Sequence, residues 1–425
     1  MCSSDLLKQV LDAMRKPDAS AILVGHAVGL ITACTRHCQQ EIKSLPPLLS
    51  LLAASLRVND IGIRCSALAS FIRINLAGCE EENRQFDPRM LISAVQRRFP
   101  DQCVAVIMDY GPTRCEMNLL AQTAADYQRA MMKCAQDRDL YALGKTLAQL
   151  IVRTEFSVSE GGFQYIDERT GRPEFADVGL PFKMWVDSLP HCAKALRDKN
   201  RSSVDLDEAD ILDLKYYILR QRIPDAIVHA QNAIKRNPHV AYFYYAIGLG
   251  ADQARALRAV KKGLKAKTTT PFVHYYMLWR AIVSAGNLGV TILADARPGD
   301  QEYAEGIAFL MSALDDAKEF FDVAPPDARY MATIVHWFVV LSIAIKGPQL
   351  SVDLKELKVC PNVDQALRLV TDISKARFQE VGDRSSGHGA HRIPLQEDSD
   401  APHPGDDSQI IPKGCPRLCI YYHVL

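Results

Sequence analysis

The chain carries no net charge: 50 lysine and arginine residues balance 50 aspartate and glutamate residues over 425 positions. That balance leaves no global basic field to draw the surface toward nucleic acid or an anionic membrane, so neither is expected as a partner. Long apolar runs are missing as well. The most apolar stretch, Met331 to Ile345, is interrupted by His336 and stops short of the ~20 residues a bilayer-spanning helix needs. It reads as a buried helix of a packed array. The opening residues MCSSDLLKQVLDAM include Asp5 and no continuous apolar core, so no secretory leader is expected. The expected location is the cytoplasm or nucleus.

Motifs that carry chemistry are equally sparse. GHAVG at residues 25 to 29 lacks the serine of a nucleophile elbow, and no strand pattern precedes it. KKGLKAKTTT, residues 261 to 270, joins lysine to threonine without the spacing of a phosphate loop. The 12 cysteines are scattered from Cys2 to Cys419, which suits small buried apolar residues in a reducing compartment better than a disulfide framework. Cys34 and Cys38 stand one helical turn apart beside His37, with no second ligand pair. Cys415, Cys419 and His423 offer three donors, where a closed structural zinc site needs four in paired spacing. His388, His391 and His403 read as solvated. No cofactor, no metal and no catalytic residue is expected.

What the chain does have is helical periodicity. Leu48, Leu52 and Leu56 form one stripe, Asn59-Asp60 breaks it, and Ile63, Ala67, Ser70 and Ile74 form a facing stripe. This pair resembles an armadillo or HEAT hairpin. Further on, Ala226 and Ala233 are small residues seven apart on one helical face, and Asn237-Pro238 ends that helix. Tyr242, Tyr245 and Gly248 then recur at three-residue steps, so that a bulky residue can sit over a small one. Pro271 follows Pro238 after 33 residues, with Ala259 and Ala266 in the places of Ala226 and Ala233. The step is close to the ~34-residue period of the tetratricopeptide repeat, which this region resembles. Leu214 and Gly263 depart from that pattern, standing where it prefers a small and a large residue.

One stretch breaks the helical pattern. Phe163 and Tyr165 alternate on one side of Thr170-Gly171, and Phe175 and Val178 on the other, which predicts a small β-hairpin. The predicted organisation is therefore all-α, a right-handed helical-repeat superhelix. An armadillo/HEAT-like part spans 1–156, a hairpin linker 157–182, TPR-like repeats 183–380, and a disordered polar tail 381–425.

Over roughly residues 160 to 350, runs such as PFKMWVDSLPHCAKALR and DLDEADILDLKYYILRQRIPDAIVHAQNAIKRNP resemble a group of fungal proteins that combine helical repeats with a MYND-type zinc finger. The resemblance implies short-peptide recognition through two bound zinc ions. The chain departs from it where the finger would follow, since the tail keeps only Cys415 and Cys419, and zinc binding is carried over to no residue.

The function this predicts is a non-catalytic scaffold that binds a peptide or helix of a protein partner, with acidic partners favoured. Arg258, Lys261, Lys262 and Lys265 recur at three- and four-residue steps on one helix and would orient such a partner. Tyr242, Tyr245 and Tyr276 would supply contact area. The alternatives are a zinc-dependent regulator of the MYND type and an enzyme with a pocket between the two halves.

Overall fold

Prolines and short polar residues start many of the helices of this chain, and the buried stripes of the helices decide how they stack. A computed structural model describes residues 4–76, 101–159, 161–166, 173–199, 202–351 and 355. The first part contains α1 (Ser4–Met14), α2 (Ala21–Cys34), α3 (Gln39–Lys43), α4 (Pro46–Ser55) and α5 (Ile61–Leu76). Next come α6 (Asp101–Tyr110), α7 (Glu116–Asp137) and α8 (Leu140–Arg153). The remainder is α9 (Ser188–Lys199), α10 (Ser203–Leu219), α11 (Ile223–Arg236), α12 (Ala241–Gly248), α13 (Gln253–Gly263), α14 (Pro271–Asp295), α15 (Gln301–Val323) and α16 (Met331–Lys346).

Local chemistry accounts for the starts. Ser20 accepts the Leu23 N–H, Asp139 those of Tyr141 and Ala142, Asp252 that of Arg255, and Thr270 that of Val273. Each satisfies backbone donors that the first turn leaves free. Prolines occupy the first turn of α4, α11 and α14, where a missing N–H costs nothing. Between α8 and α9 the predicted hairpin is present. Strand β1 (Gln164–Ile166) pairs antiparallel with β2 (Pro173–Phe175), Gln164 standing opposite Phe175. The Thr170-Gly171 turn and the tail 381–425 lie outside the described residues.

Consecutive helices pack against one another throughout the second half. The pairs α10–α11, α12–α13 and α14–α15 are in contact, each pair touches the next, and α10, α12 and α14 also meet in order. Of the small residues read from the sequence, Ala226, Ala233 and Ala259 are buried at these seams, whereas Ala266 lies past the end of α13 and is only half-buried, so the second repeat keeps one of its two small positions in the helix. Gly263 stands where the repeat prefers a large residue, and its surroundings explain the exchange. A Cβ there would fall 2.5 Å from Tyr244 Cβ and 2.7 Å from the Met277 sulfur, so α12 and α14 close over its bare backbone. At the α14–α15 crossing, a Cβ on Gly289 would lie 2.9 Å from the Gly306 carbonyl oxygen.

Two apolar cores result. The larger runs from Tyr127 on α7 to Leu341 on α16 and takes in the whole of the paired helices. The smaller joins Leu7, Ile31, Ile42, Leu48, Leu52, Leu56, Ala67 and Ile74 to Val340 and Ile343 of α16. The α4 and α5 stripes face each other as the sequence predicts, with Ser70 fully buried among them. Helix α16, the apolar run around His336, serves both cores. By length and composition α14 and the span Met331–Gln349 could each cross a bilayer; here both pack within the helical array. A buried arginine fastens the smaller core to α16. Arg64 donates from Nη1 to the Val58 and Asn59 carbonyls (2.6 and 2.8 Å) and from Nη2 to the Ala344 carbonyl (2.7 Å).

Candidate functional site

The basic helix α13 holds the sequence's candidate cations, and the structure divides them. Arg255, Arg258, Lys262 and Lys265 are exposed and follow one another at steps of three, four and three residues, which keeps them on one side of the helix and its closing turn. None forms an ion pair with a described residue. Arg258 Nε donates only to the Ala254 carbonyl one turn earlier. Lys261 leaves the row. Its ammonium reaches the buried Asp316 on α15 at 2.6 Å, so it joins two helices instead of facing a partner. Burial pushes the Asp316 carboxyl above its ordinary range, against the pull of Lys261. The sequence could not show this, because Asp316 is 55 residues away and Lys261 shares the three-residue spacing of its neighbours.

The tyrosines expected to provide contact area are interior. Tyr242, Tyr245 and Tyr276 are 1%, 2% and 1% exposed, so the contact-surface reading of all three is replaced by a different role. Tyr242 and Tyr245 donate their hydroxyls to Oε2 and Oε1 of Glu155, at 2.9 and 2.5 Å. Tyr275 and Tyr276 do the same for Glu116, at 3.1 and 2.9 Å, and the Arg329 N–H adds a third donor at 3.2 Å. Each buried carboxylate comes from an early segment: Glu155 opens a 3-10 turn behind α8, and Glu116 is the first residue of α7. The phenols tie these segments to the later helices. Burial first, then the neighbouring glutamate, raises the Tyr242 and Tyr245 hydroxyls far above the usual phenol range.

Glu116 itself is pushed up to about 7 by burial, although Tyr276, the Arg329 N–H and Tyr275 all favour its ionised form. Asp327 works beside it, taking the backbone N–H groups of Glu116 and Met117 at 2.9 Å each. The α7 N-terminus and the α15–α16 connection thus hold each other. The buried Lys215 faces Glu155; burial lowers its affinity for the proton, and Glu155 works the other way. Sequence reasoning missed Glu116, Glu155 and Lys215, since single charged residues in helical segments carry no local signal.

Among the described residues, Asp210, Asp213 and His229 bring three metal-ligating donor atoms within 4.8 Å of one another. Cys34, His37 and Cys38 form no such group, and Cys415, Cys419 and His423 lie outside the described residues. The two carboxylates of this group are already neutralised. Arg197 reaches Asp210 at 2.7 Å and Asp213 at 2.6 Å, Arg236 binds Asp210 and Asp207, and His229 Nε2 stands 2.9 Å from Asp210. Burial would raise Asp210, yet the bonds from His229, Arg236 and Arg197 prevail and bring it down to about 2. A dication would have to displace two guanidinium groups, so the cluster works as a clamp joining α9, α10 and α11.

An open groove of about 590 Å³ runs beside the hairpin, lined by Leu180, Phe182, Lys183, Asp187, His191 and Tyr216 among others. Of its polar groups Asp187 is engaged, binding Arg220 at 2.6 Å, and the His191 ring lies 6.1 Å from that of Phe182.

These features define an all-α protein of successively packed helices with a basic outer row. Comparison with protein-family models, with curated proteins and with solved structures finds no match.

Proposed function

We propose that this chain is a non-catalytic interaction scaffold, a TPR-like stack that holds an acidic peptide or helix of a protein partner against α13. The observation that carries the reading is the row Arg255, Arg258, Lys262 and Lys265, exposed and without an ion pair among the described residues. Some exposed cations elsewhere are matched locally, Arg222 with Asp225, Arg220 with Asp187 and Lys318 with Asp315; others, such as Lys43, Arg57 and Lys194, are exposed without an ion pair among the described residues as well. Four unmatched cations along one helix side make a local positive strip on a molecule whose total charge is zero, which steers an acidic segment and sets its direction.

The scaffold beneath is rigid for the same reasons the tyrosines are unavailable. Buried phenol–carboxylate bonds fix α12 to the turn after α8, and the Lys261–Asp316 pair fixes α13 to α15, so little ordering is left to occur on binding.

The test is binding of a fluorescein-labelled oligoglutamate peptide to the full chain and to the variant Lys262→Glu with Lys265→Glu. The variant should bind more weakly through slower association. The loss should shrink as salt rises, because exposed charges are screened over about 8 Å at physiological ionic strength. Equal affinity and equal salt dependence of the two proteins would show that the strip is only a solvated face.

A further inference from the structure

A row of unmatched cations invites the question of what neutralises it in the free protein, and the chain itself offers a counterpart. Between Ile393 and Pro412 there are five carboxylates, Glu397, Asp398, Asp400, Asp406 and Asp407, and no lysine or arginine. Two other groups of adjacent acids lie outside the described residues: Glu80 to Glu82, followed by Arg84, Arg89, Arg97 and Arg98, and Asp167-Glu168, followed by Arg169 and Arg172. Cations match or outnumber the acids in both segments. Glu397 to Asp407 has Arg392 before it and Lys413 after it, which leaves the five acids in excess.

We propose that the segment Glu397 to Asp407 docks on the row Arg255, Arg258, Lys262 and Lys265 and competes there with acidic partners, an autoinhibitory contact within one chain. The proposal rests on the reading of that row as the partner-binding strip. The dimensions agree. Along α13, Arg255 to Lys262 rises roughly 10 Å at 1.5 Å per residue, and an extended chain covers the same length from Glu397 to Asp400 at about 3.4 Å per residue. Reach is no obstacle, since the connection from Lys355 to Glu397 can extend to roughly 140 Å. The contacts are individually weak, on the order of 0.2–1 kcal/mol for an exposed pair, but attachment to the same chain places the acids at an effective concentration of about millimolar. That combination suits a competitor that must yield to a partner.

The experiment compares the full chain with a full-length variant whose segment is neutralised, Glu397→Gln, Asp398→Asn, Asp400→Asn, Asp406→Asn and Asp407→Asn, using the labelled oligoglutamate peptide as probe. The neutralised protein should bind the peptide about threefold to tenfold more tightly at low salt. The gain should vanish at high salt, and also when Lys262→Glu and Lys265→Glu are added. Zero-length carbodiimide cross-linking of the dilute wild-type protein should join Lys262 or Lys265 to the 397–407 region. Salt-dependent binding of equal strength by the wild-type and neutralised proteins would overturn the autoinhibition while leaving the strip as a binding site. Cross-links from the row to Glu80–Glu82 in place of 397–407 would overturn it in the same way. If neither protein binds the peptide, the reading of the strip fails and the proposal falls with it.

Discussion

Replacing Glu116 by glutamine isolates one buried proton from the rest of the molecule. The carboxyl is 1% exposed and is pushed from its ordinary 4.5 to about 7, chiefly by burial. At 1.36 kcal/mol per pH unit, the fold's preference for the neutral acid is worth roughly 3 kcal/mol. The sign follows from linkage. Because the folded value lies above the unfolded one, the contribution is complete below about pH 4.5 and is lost as pH rises through 7. Between pH 5 and pH 8 the loss is about 2–3 kcal/mol. Glutamine keeps the size and the acceptor oxygen for Tyr275 or Tyr276 but cannot ionise. Urea unfolding of wild type and Glu116→Gln at both pH values should therefore show the stability difference moving by that amount in favour of the variant at pH 8. Titrations elsewhere, such as Asp210 near 2, are common to both proteins and cancel. A stability difference that stays flat from pH 5 to pH 8 would refute the argument, and would mean that the three donors on Glu116 outweigh its burial.

Two further outcomes separate interior from surface roles. Lys261→Ala strands the buried Asp316, whose Oδ2 already has no partner, and should cost about 1–3 kcal/mol in thermal or urea unfolding. Lys262→Ala on the same helix should stay within about 0.5 kcal/mol; equal effects would contradict the division of the row. Tyr242→Phe and Tyr245→Phe each remove one donor from Glu155 and should cost about 1–3 kcal/mol, with the double variant departing from additivity because both act on one carboxylate. Neutral substitutions at both sites would mean that water serves Glu155 as well as the phenols do.

Much of the architecture was legible because it depends on neighbours in sequence. Proline and capping residues mark the starts of α4, α11, α13 and α14. The stripes Leu48–Leu52–Leu56 and Ala226–Ala233 are buried, and the alternation around residue 170 gives the paired β1 and β2. These follow from backbone geometry, which repeats every 3.6 or 2 residues and leaves its period in the sequence. The spacing of Arg258, Lys262 and Lys265 along α13 and its closing turn was legible for the same reason, but Lys261, which shares it, turns to Asp316.

Tertiary structure alone decided which polar groups meet. Tyr242 and Tyr245 find Glu155 from 87 and 90 residues away, Tyr275 and Tyr276 find Glu116 from 159 and 160, and Arg64 finds Ala344 from 280. A hydroxyl buried with an aromatic ring must have an acceptor, and a buried carboxylate must have donors, but neither requirement names the partner. So a tyrosine at helical spacing is the same letter whether it faces water or a glutamate, and Lys261 the same letter as Lys262. Periodicity determined which residues lie on a helix and at what angle; the packing of distant segments determined what each angle faces.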